Sequence, residues 1–381
     1  MRAHNERLVL SILRRQGPMA KANIARLTGL SAQTVSVIMR SLEEDGLLSK
    51  GEPVRGKVGQ PSVPMHLAPD GAFFFGLKVG RRSLVLVLTD FLGQVQGRLQ
   101  RLHAYPTPDA TIDFTLKGIA ELTADLPPRS RARIAGLGIA MPFQLWDWAK
   151  ALGLSPEAMS AWKDRDTRAE LAEHLKMPVY LQNDASAACG AELVFGTSDR
   201  PQDFLYFYIG YFIGGGVVLN GSLFTGRSGN AGALGSMPVP DGQDVVQLID
   251  IASLSVLERL VSQAGDSADS LWPSADGWEI DATILQGWID RTAAGLAAAV
   301  VAACTLIDFE AALIDGWIPA SVRAALVART AEHLQAHNLA GIQPPHILAG
   351  TAGPEARALG AASLPLSERF LVDQNAILKQ T

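Results

Sequence analysis

Apolar residues Leu8, Ile12 and Leu13 recur at helical spacing and stop before Gly17-Pro18, which predicts a first short helix. A second fits Lys21–Thr28, with Ile24, Ala25 and Leu27 available for packing, and Gly29 then makes a tight turn. Ser31 is an N-cap for a third helix running to about Asp45. In it Val35, Ile38 and Leu42 fall on one side, and Ala32, Gln33, Ser36, Val37 and Arg40 on the other. From Ala72 the pattern changes to apolar alternation. "FFFGLKVGRRSLVLVLTDFLGQVQGRLQ" reads as three strands and two turns, with Gly93 at the second turn. A helix near Ile112–Leu126 follows, then the strand "IAGLGIAMP" and the strand-to-helix segment "PVYLQNDASAACGAELVFG". The run "YIGYFIGGGVVLNG" at 208–221 fits a loop around a phosphate, or equally a strand pair whose turn must be small. "TAAGLAAAVVAACTLIDFEAALIDG" reads as a close-packed helix leading into a strand. Strands alternating with helices indicate an α/β body behind a helical head.

A length of 381 residues suggests two or three folding units, and 48% hydrophobic with 19% charged residues suits a globular protein. Arg2, His4 and Arg7 follow Met1 without an apolar signal core, and the longest apolar stretch, Ala293–Ala303, is shorter than the roughly 20 residues of a membrane span. A cytoplasmic protein with no membrane partner is expected. The only cysteines, Cys189 and Cys304, provide neither a disulfide framework nor a cysteine-rich zinc site. Charge is uneven. Residues 1–60 hold ten Lys/Arg against five Asp/Glu, a net of +5; with −5 overall, residues 61–381 carry −10. A basic head on an acidic body points to a polyanion for the head alone.

The outer face of the third helix has groove-reading chemistry. Gln33 and Arg40 reach base edges, Ser31, Thr34 and Ser36 contact phosphates or bases, and Val37 lies among them. "LTGLSAQTVSVIMRSLEEDGLL" resembles the winged helix-turn-helix of many bacterial repressors. After it, "GLLSKGEPVRGKVGQPSVPMHL" reads as two short strands joined by a glycine-rich hairpin, a wing whose Arg55 and Lys57 suit phosphates or a minor groove. A three-helix protein-interaction module is the competing reading. Helix spacing, turn glycine, wing and charge agree on DNA.

Five blocks, "GLKVG…DFLGQV", "GLGIAMP", "NDASAACGAELVFG", "IGYFIGGGVVLNGSLFTGRSGNAGALGSM" and "ILAG…LGAAS", resemble in order the ROK family of repressors, open reading frames and kinases. The resemblance runs from about residue 72 almost to the C-terminus. It implies two actin-like/ribonuclease-H-like α/β lobes, here behind a winged helix-turn-helix: a DNA-binding domain at 1–70 and a ROK domain at 71–381, with lobes at about 71–185 plus the C-terminal helix and 186–360. Kinases of the family hold ATP with a loop like Gly-Ile-Asp-Ile-Gly-Gly-Thr. Here Lys78 stands in for the acid, and Arg81 and Arg82 replace the Gly-Thr pair. A cation cannot coordinate magnesium and a long side chain obstructs close backbone approach, although basic residues can still attract an anion. In the second loop, Tyr211 and Phe212 stand where a hydroxyl and bare backbone would face phosphate.

At the sugar end the resemblance places Asn183-Asp184 as a binding pair, the Asp being the general base in kinases. Asp184 capping the helix that begins near Ala185 fits as well. The family's Gly-Glu-Ile-Gly-His reads Gly232-Ala233-Leu234-Gly235-Ser236, so Ser236 takes the place of a sugar and zinc ligand. The zinc segment falls at "PDGQDVVQLID" without cysteine, a region left to be held by packing; Asp250, nearby, is the candidate replacement for a ligand-binding Glu. No metal and no cofactor are expected, and no catalytic residue. His103, His174, His333, His337 and His346 show no metal-ligand spacing and read as surface or loop residues, while Trp146, Trp148 and Trp162 fit either sugar stacking or packing.

Together these features point to a ligand-responsive regulator, most simply a repressor of carbohydrate genes, that binds operator DNA as a homodimer and a sugar or sugar derivative in a non-catalytic cleft. A sugar kinase with an added head, and a regulator answering to a protein or to no ligand, are the alternatives.

Overall fold

The computed structural model describes residues 4–53, 62–143, 145–148, 155–197, 199 and 201–372. Helix α1 (His4–Gln16) buries Val9, Leu10 and Leu13. That stripe differs from the expected Leu8–Ile12–Leu13 face: the helix is apolar over more than one register, and Leu8 and Ile12 end half-buried on its flank. Helix α2 (Lys21–Thr28) ends on Gly29, whose left-handed φ of 69° a side chain would strain. Helix α3 (Ala32–Glu44) opens on Ser31, whose side chain accepts from Thr34 N–H at 3.1 Å. Its inner side is Val35, Met39 and Leu42; Met39 fills the place expected of Ile38, which is half-buried. Strands β1 (Leu48–Lys50) and β2 (Met65–Leu67) pair antiparallel behind the helices, with Leu48 opposite Leu67. Arg55 and Lys57 lie outside the described residues.

The first large sheet starts as an antiparallel meander of β3 (Phe73–Val79), β4 (Ser83–Thr89) and β5 (Val95–Leu102). Helix α4 (Pro108–Thr123) begins four residues before the expected Ile112, because Thr107 caps it and Pro108 suits its first turn. After α5 (Pro128–Arg131), β6 (Ile134–Ala140) joins β3 in parallel; after α6 (Pro156–Asp164) and α7 (Thr167–Leu175), β7 (Val179–Gln182) extends the sheet. Its order is β5-β4-β3-β6-β7.

Helix α8 (Asp184–Phe195) leads to a second sheet built on the same plan. Strands β8 (Phe204–Ile209), β9 (Gly214–Leu219) and β10 (Ser222–Phe224) form the meander. A side hairpin of β11 (Pro238–Asp241) and β12 (Asp244–Gln247) precedes α9 (Ile249–Ala252), α10 (Leu254–Gln263) and the alanine-rich α11 (Ala282–Cys304). Strands β13 (Ala311–Gly316) and β14 (His346–Ala349), separated by α12 (Ala320–Ala336), then add in parallel, giving the order β10-β9-β8-β13-β14. The two sheets therefore share strand order and sense. Helix α13 (Ala356–Phe370) follows. A Cβ on Gly138 would stand 1.8 Å from the Ala361 carbonyl, so the glycine lets this helix lie directly on the first sheet.

The chain divides into two compact units, Met1–Gln182 with Ala358–Thr381, and Asn183–Arg357. Within the first, the head is fastened to the sheet. Arg133 donates to the carbonyls of Asp70 (2.8 Å), Asp45 (3.2 Å) and Gly46 (3.3 Å). Among the described residues no helix is long and apolar enough to cross a membrane.

Candidate functional site

On α3, Gln33, Val37 and Arg40 follow one another at helical spacing and are all exposed, with Ser36 half-buried beside them. Val37 is 62% exposed, an apolar side chain that the head's own core does not use. Ser31 and Thr34 are partly spent on the helix terminus, since their hydroxyl oxygens lie 2.8 Å apart in the cap. The free face is thus one amide, one branched aliphatic group and one guanidinium, which match respectively adenine edges, a thymine methyl and guanine edges.

The head's positive charge is not all on that face. Arg7 donates to the Leu371 carbonyl, Arg14 donates to the Phe91 carbonyl and stacks 5.3 Å from the Phe91 ring centroid, and the Val372 N–H donates to Ser11 Oγ at 3.0 Å. Burial lowers Arg14 to about 10, partly offset by Asp90, so it remains a cation at neutral pH. Counting both arginines toward a polyanion overstates the outward charge. Nothing in their local sequence marks them as internal, because their partners lie far along the chain.

The glycine run resolves as a β8–β9 hairpin with Tyr208 opposite Gly214. Its glycines serve packing within the second unit. A Cβ on Gly214 would stand 2.7 Å from the Ala185 Cβ, one on Gly215 2.4 Å from Leu234 Cδ1, and one on Gly216 2.5 Å from the Cys189 Cβ. The turn is pinned from outside. Leu254 N–H donates to the Gly210 carbonyl (3.0 Å), Ser255 N–H to the Tyr211 carbonyl (3.1 Å), and Ile213 N–H to Ser253 Oγ (3.1 Å). Tyr211 packs on Phe212 and on Trp272, with centroids 4.8 and 5.5 Å apart.

In the first unit, Lys78 Nζ donates to Ser83 Oγ at 2.9 Å. Its side chain folds over Gly80, with Nζ 2.7 Å from where a Cβ would be. The lysine therefore occupies the space above the glycine backbone. His103, expected on the surface or in a loop, lies in the loop after β5, half-buried next to this turn.

Asn183 and Asp184 divide the roles differently from expectation. Asn183 Oδ1 caps α8, accepting from Ala185 N–H (3.0 Å) and Ser186 N–H (3.3 Å), whereas Asp184 turns to Arg357, whose guanidinium lies 3.1 Å away. The amide accepts the N–H bonds because it precedes the helix; the carboxylate, already in the first turn, finds a cation instead. Burial opposes the Arg357 charge, but Tyr208 and Asp184 outweigh it and raise the group further. Arg357 also lies 4.8 Å over the Tyr208 ring, and Tyr208 donates to the Pro354 carbonyl at 2.8 Å.

Two buried carboxylates near this pair escaped the sequence reading. Asp315, fully buried, accepts from Tyr206 Oη (2.9 Å), Gly316 N–H (2.9 Å), Gly353 N–H (2.8 Å) and Arg323 (2.9 Å). Glu192, 1% exposed, accepts from the N–H groups of Thr351 and Ala352, both at 2.8 Å. Backbone donors of the 350–353 loop are thereby engaged by the chain's own acids. The "LIDG" and "AGTAG" segments that supply Asp315 and the loop donors resemble ordinary strand and turn sequence, and Glu192 sits on α8, so no local signal could have paired them.

Ser236 is exposed on a short turn whose Gly235 abuts the Ile213 carbonyl, and Asp250 is exposed, accepting from Gln247 N–H at 3.2 Å. Neither forms a bond to Asp184. Where the zinc segment would fall, the β11–β12 hairpin inserts Val239 into the core and carries an Asp241–Arg291 ion pair. Packing there is supplemented by charge. Trp162 is buried and donates to the Pro106 carbonyl at 2.9 Å, a packing role.

Comparison with known proteins adds three kinds of likeness. Residues 74–368 match the ROK family and residues 2–49 the winged helix-turn-helix DNA-binding family. A xylose repressor of Bacillus subtilis (strain 168) is 27% identical over 235 residues, 62% of this chain and 60% of the repressor, so the alignment spans about three-fifths of that relative's length. A bifunctional enzyme NanE/NanK of Brucella melitensis biotype 1 is 31% identical over 253 residues, 65% of this chain and 45% of the enzyme. Among solved structures, a ROK family transcriptional regulator, described as a homologue of the E. coli MLC protein, superposes with a TM-score of 0.68 at 20% identity, covering 95% of each chain.

Proposed function

The chain belongs to the ROK family, and from that membership we propose that it is a DNA-binding transcriptional regulator of carbohydrate genes, most simply a repressor. One observation carries the reading: α3 leaves Gln33, Val37 and Arg40 exposed together while Val35, Met39 and Leu42 of the same helix are buried. The alignment with a xylose repressor supports a sugar or sugar derivative as effector. Operator binding requires a dimer, because two recognition helices about one DNA turn apart read a palindrome. The effector acts by favouring one arrangement of the protein over another, and so alters the spacing of the two heads.

The body is read as non-catalytic. Lys78 over Gly80, the pinned Tyr211–Phe212 turn, and Asp184 tied to Arg357 each remove a feature that phosphoryl transfer needs: a metal site, open backbone and an available base. Asn183, Asp184, Ser236 and Asp250 are the proposed sugar contacts, with hydroxyls bound through one oxygen of Asp184 while Arg357 holds the other.

Operator selection followed by quantitative DNA binding tests the first claim. Arg40→Ala and Gln33→Ala should each cost about 1–3 kcal/mol of discrimination at one base position, whereas Lys57→Ala should weaken all sequences alike and lower the salt slope by about one. Equal losses on every sequence for all three would count against base reading by α3. The enzyme reading is favoured by the NanE/NanK relative, and a coupled assay decides it: sugar-dependent ATP consumption abolished by Asp184→Asn would establish a kinase.

A further inference from the structure

The first unit contains a cavity apart from the proposed sugar contacts. It measures about 670 Å³ and follows β7, the last strand of its sheet, all four of whose residues line it. Trp146 and Trp162 reach it from the core on one face of the sheet. Helix α13 reaches it from the other face, where Gly136 and Gly138 meet Pro365 and Ala361, and contributes Leu364 and Glu368. The cavity therefore wraps the sheet's edge. Leu137 N–H donates to the Pro178 carbonyl at 3.0 Å and Met141 N–H to the Gln182 carbonyl at 3.1 Å. Alternate residues of a parallel strand bond to opposite sides, so Val179 and Leu181 turn their backbone groups away from β6.

Charge along the cavity is already matched. Arg165 donates to Glu170 Oε1 at 2.9 Å and also to Asp109, and Arg168 lies 3.6 Å from Asp166. Burial, and then the Glu368 charge, raise the Tyr180 phenol, with Arg369 opposing. An anion would meet the Glu368 carboxylate and, among the described lining residues, no uncommitted cation. Thr167, the first residue of α7, also lines the cavity; it is 5% exposed, and its hydroxyl oxygen is buried without a hydrogen-bond partner. A buried hydroxyl left in that state is unfavourable until a partner completes it.

We propose that this cavity binds a neutral, flat, largely apolar molecule carrying a hydroxyl group, an aromatic alcohol being the simplest example. Its volume lies within the range of small-molecule sites, about 300–1,000 Å³, and its walls are of the same kind, mostly carbon with a few polar groups. The half-buried Trp146 and Phe143 offer ring faces, and Met141, Leu145 and Leu364 offer aliphatic surface. The ligand hydroxyl supplies the partner that Thr167 lacks. A sugar fits less well, because each of its hydroxyls calls for partners of its own. None of Asn183, Asp184, Ser236 and Asp250 lines this cavity. The site is thus additional to the proposed sugar contacts and stands whether or not the chain binds DNA.

NMR titration of the full chain tests it, with 2-naphthol, naphthalene, 2-naphthoate and glucose as probes. 2-Naphthol should bind roughly tenfold more tightly than naphthalene, the worth of one hydrogen bond, and more tightly still than 2-naphthoate or glucose. Thr167→Val should remove the preference over naphthalene without lowering the unfolding temperature, since the hydroxyl has no bond to lose. Leu364→Trp should fill the cavity and abolish 2-naphthol binding. In the unsubstituted protein, methyl labelling should show Overhauser contacts from 2-naphthol to Thr167, Leu181 and Leu364. This readout needs no variant to fold. Contacts confined to other methyl groups, 2-naphthoate or glucose binding as tightly as 2-naphthol, or a full preference over naphthalene kept by Thr167→Val would overturn the proposal.

Discussion

At the scale of single residues, partners distant in sequence decide what a group can do. Asp184 looks like a base or a cap, yet it forms an ion pair with Arg357, 173 positions away. Arg357→Met should therefore cost about 3 kcal/mol of stability in urea unfolding, since it strands a largely buried carboxylate, and adding Asp184→Asn should recover part of the loss. Gly216 meets a steric constraint. Gly216→Ala places a methyl against Cys189 and should destabilise by about 2 kcal/mol in the same assay, whatever its effect on ligands. His103 makes stability depend on pH. Its folded value of about 4 lies below the unfolded 6.5, so the folded state binds fewer protons between them. Its contribution is complete above pH 6.5 and is lost as pH falls toward 4. Thermal unfolding from pH 7 to 4.5 should show this slope, and His103→Gln should flatten it.

At the scale of elements, the head is a local fold with a non-local anchorage. Helices α1 to α3 follow from helical spacing, a left-handed glycine and a serine cap, all legible in the first 45 residues. The inner faces were shifted slightly: Val9 and Met39 are buried where Leu8 and Ile38 were expected, because a broad apolar stripe permits more than one register. Anchorage through Arg7, Arg14 and Arg133 was not legible, since an arginine bonded to a carbonyl resembles any other basic residue in sequence. Arg14→Met with Arg133→Met should raise hydrogen exchange in α1 and at the β1–β2 strands while leaving the β3–β4 pair protected. Unchanged exchange in α1 would show that the aliphatic contacts suffice.

At the scale of the whole molecule, the repeated sheet order, three antiparallel strands followed by two parallel ones, puts the turns at Gly80 and Gly210 each at the first strand-to-strand turn of its sheet. Each turn is held by its own means: a Lys78–Ser83 bond in one, stacked aromatics and pinned backbone in the other. The expected consequence is a protein that sediments as a dimer, protects a palindromic operator and releases it on effector addition, with no sugar-dependent ATP turnover. A monomer that footprints one half-site with full affinity would contradict the symmetric arrangement.

The amino-acid sequence by itself determined the three helices of the head, the β3–β4–β5 meander and the alternation of strands and helices that follows it. Those features depend on periodicity and on neighbours a few positions apart. Only the tertiary structure decided which charges face inward, that Asn183 rather than Asp184 caps α8, and that the glycines of the β8–β9 hairpin accommodate Ala185, Leu234 and Cys189. These depend on which distant segments meet, and contact between remote segments is set by chain topology rather than by local composition.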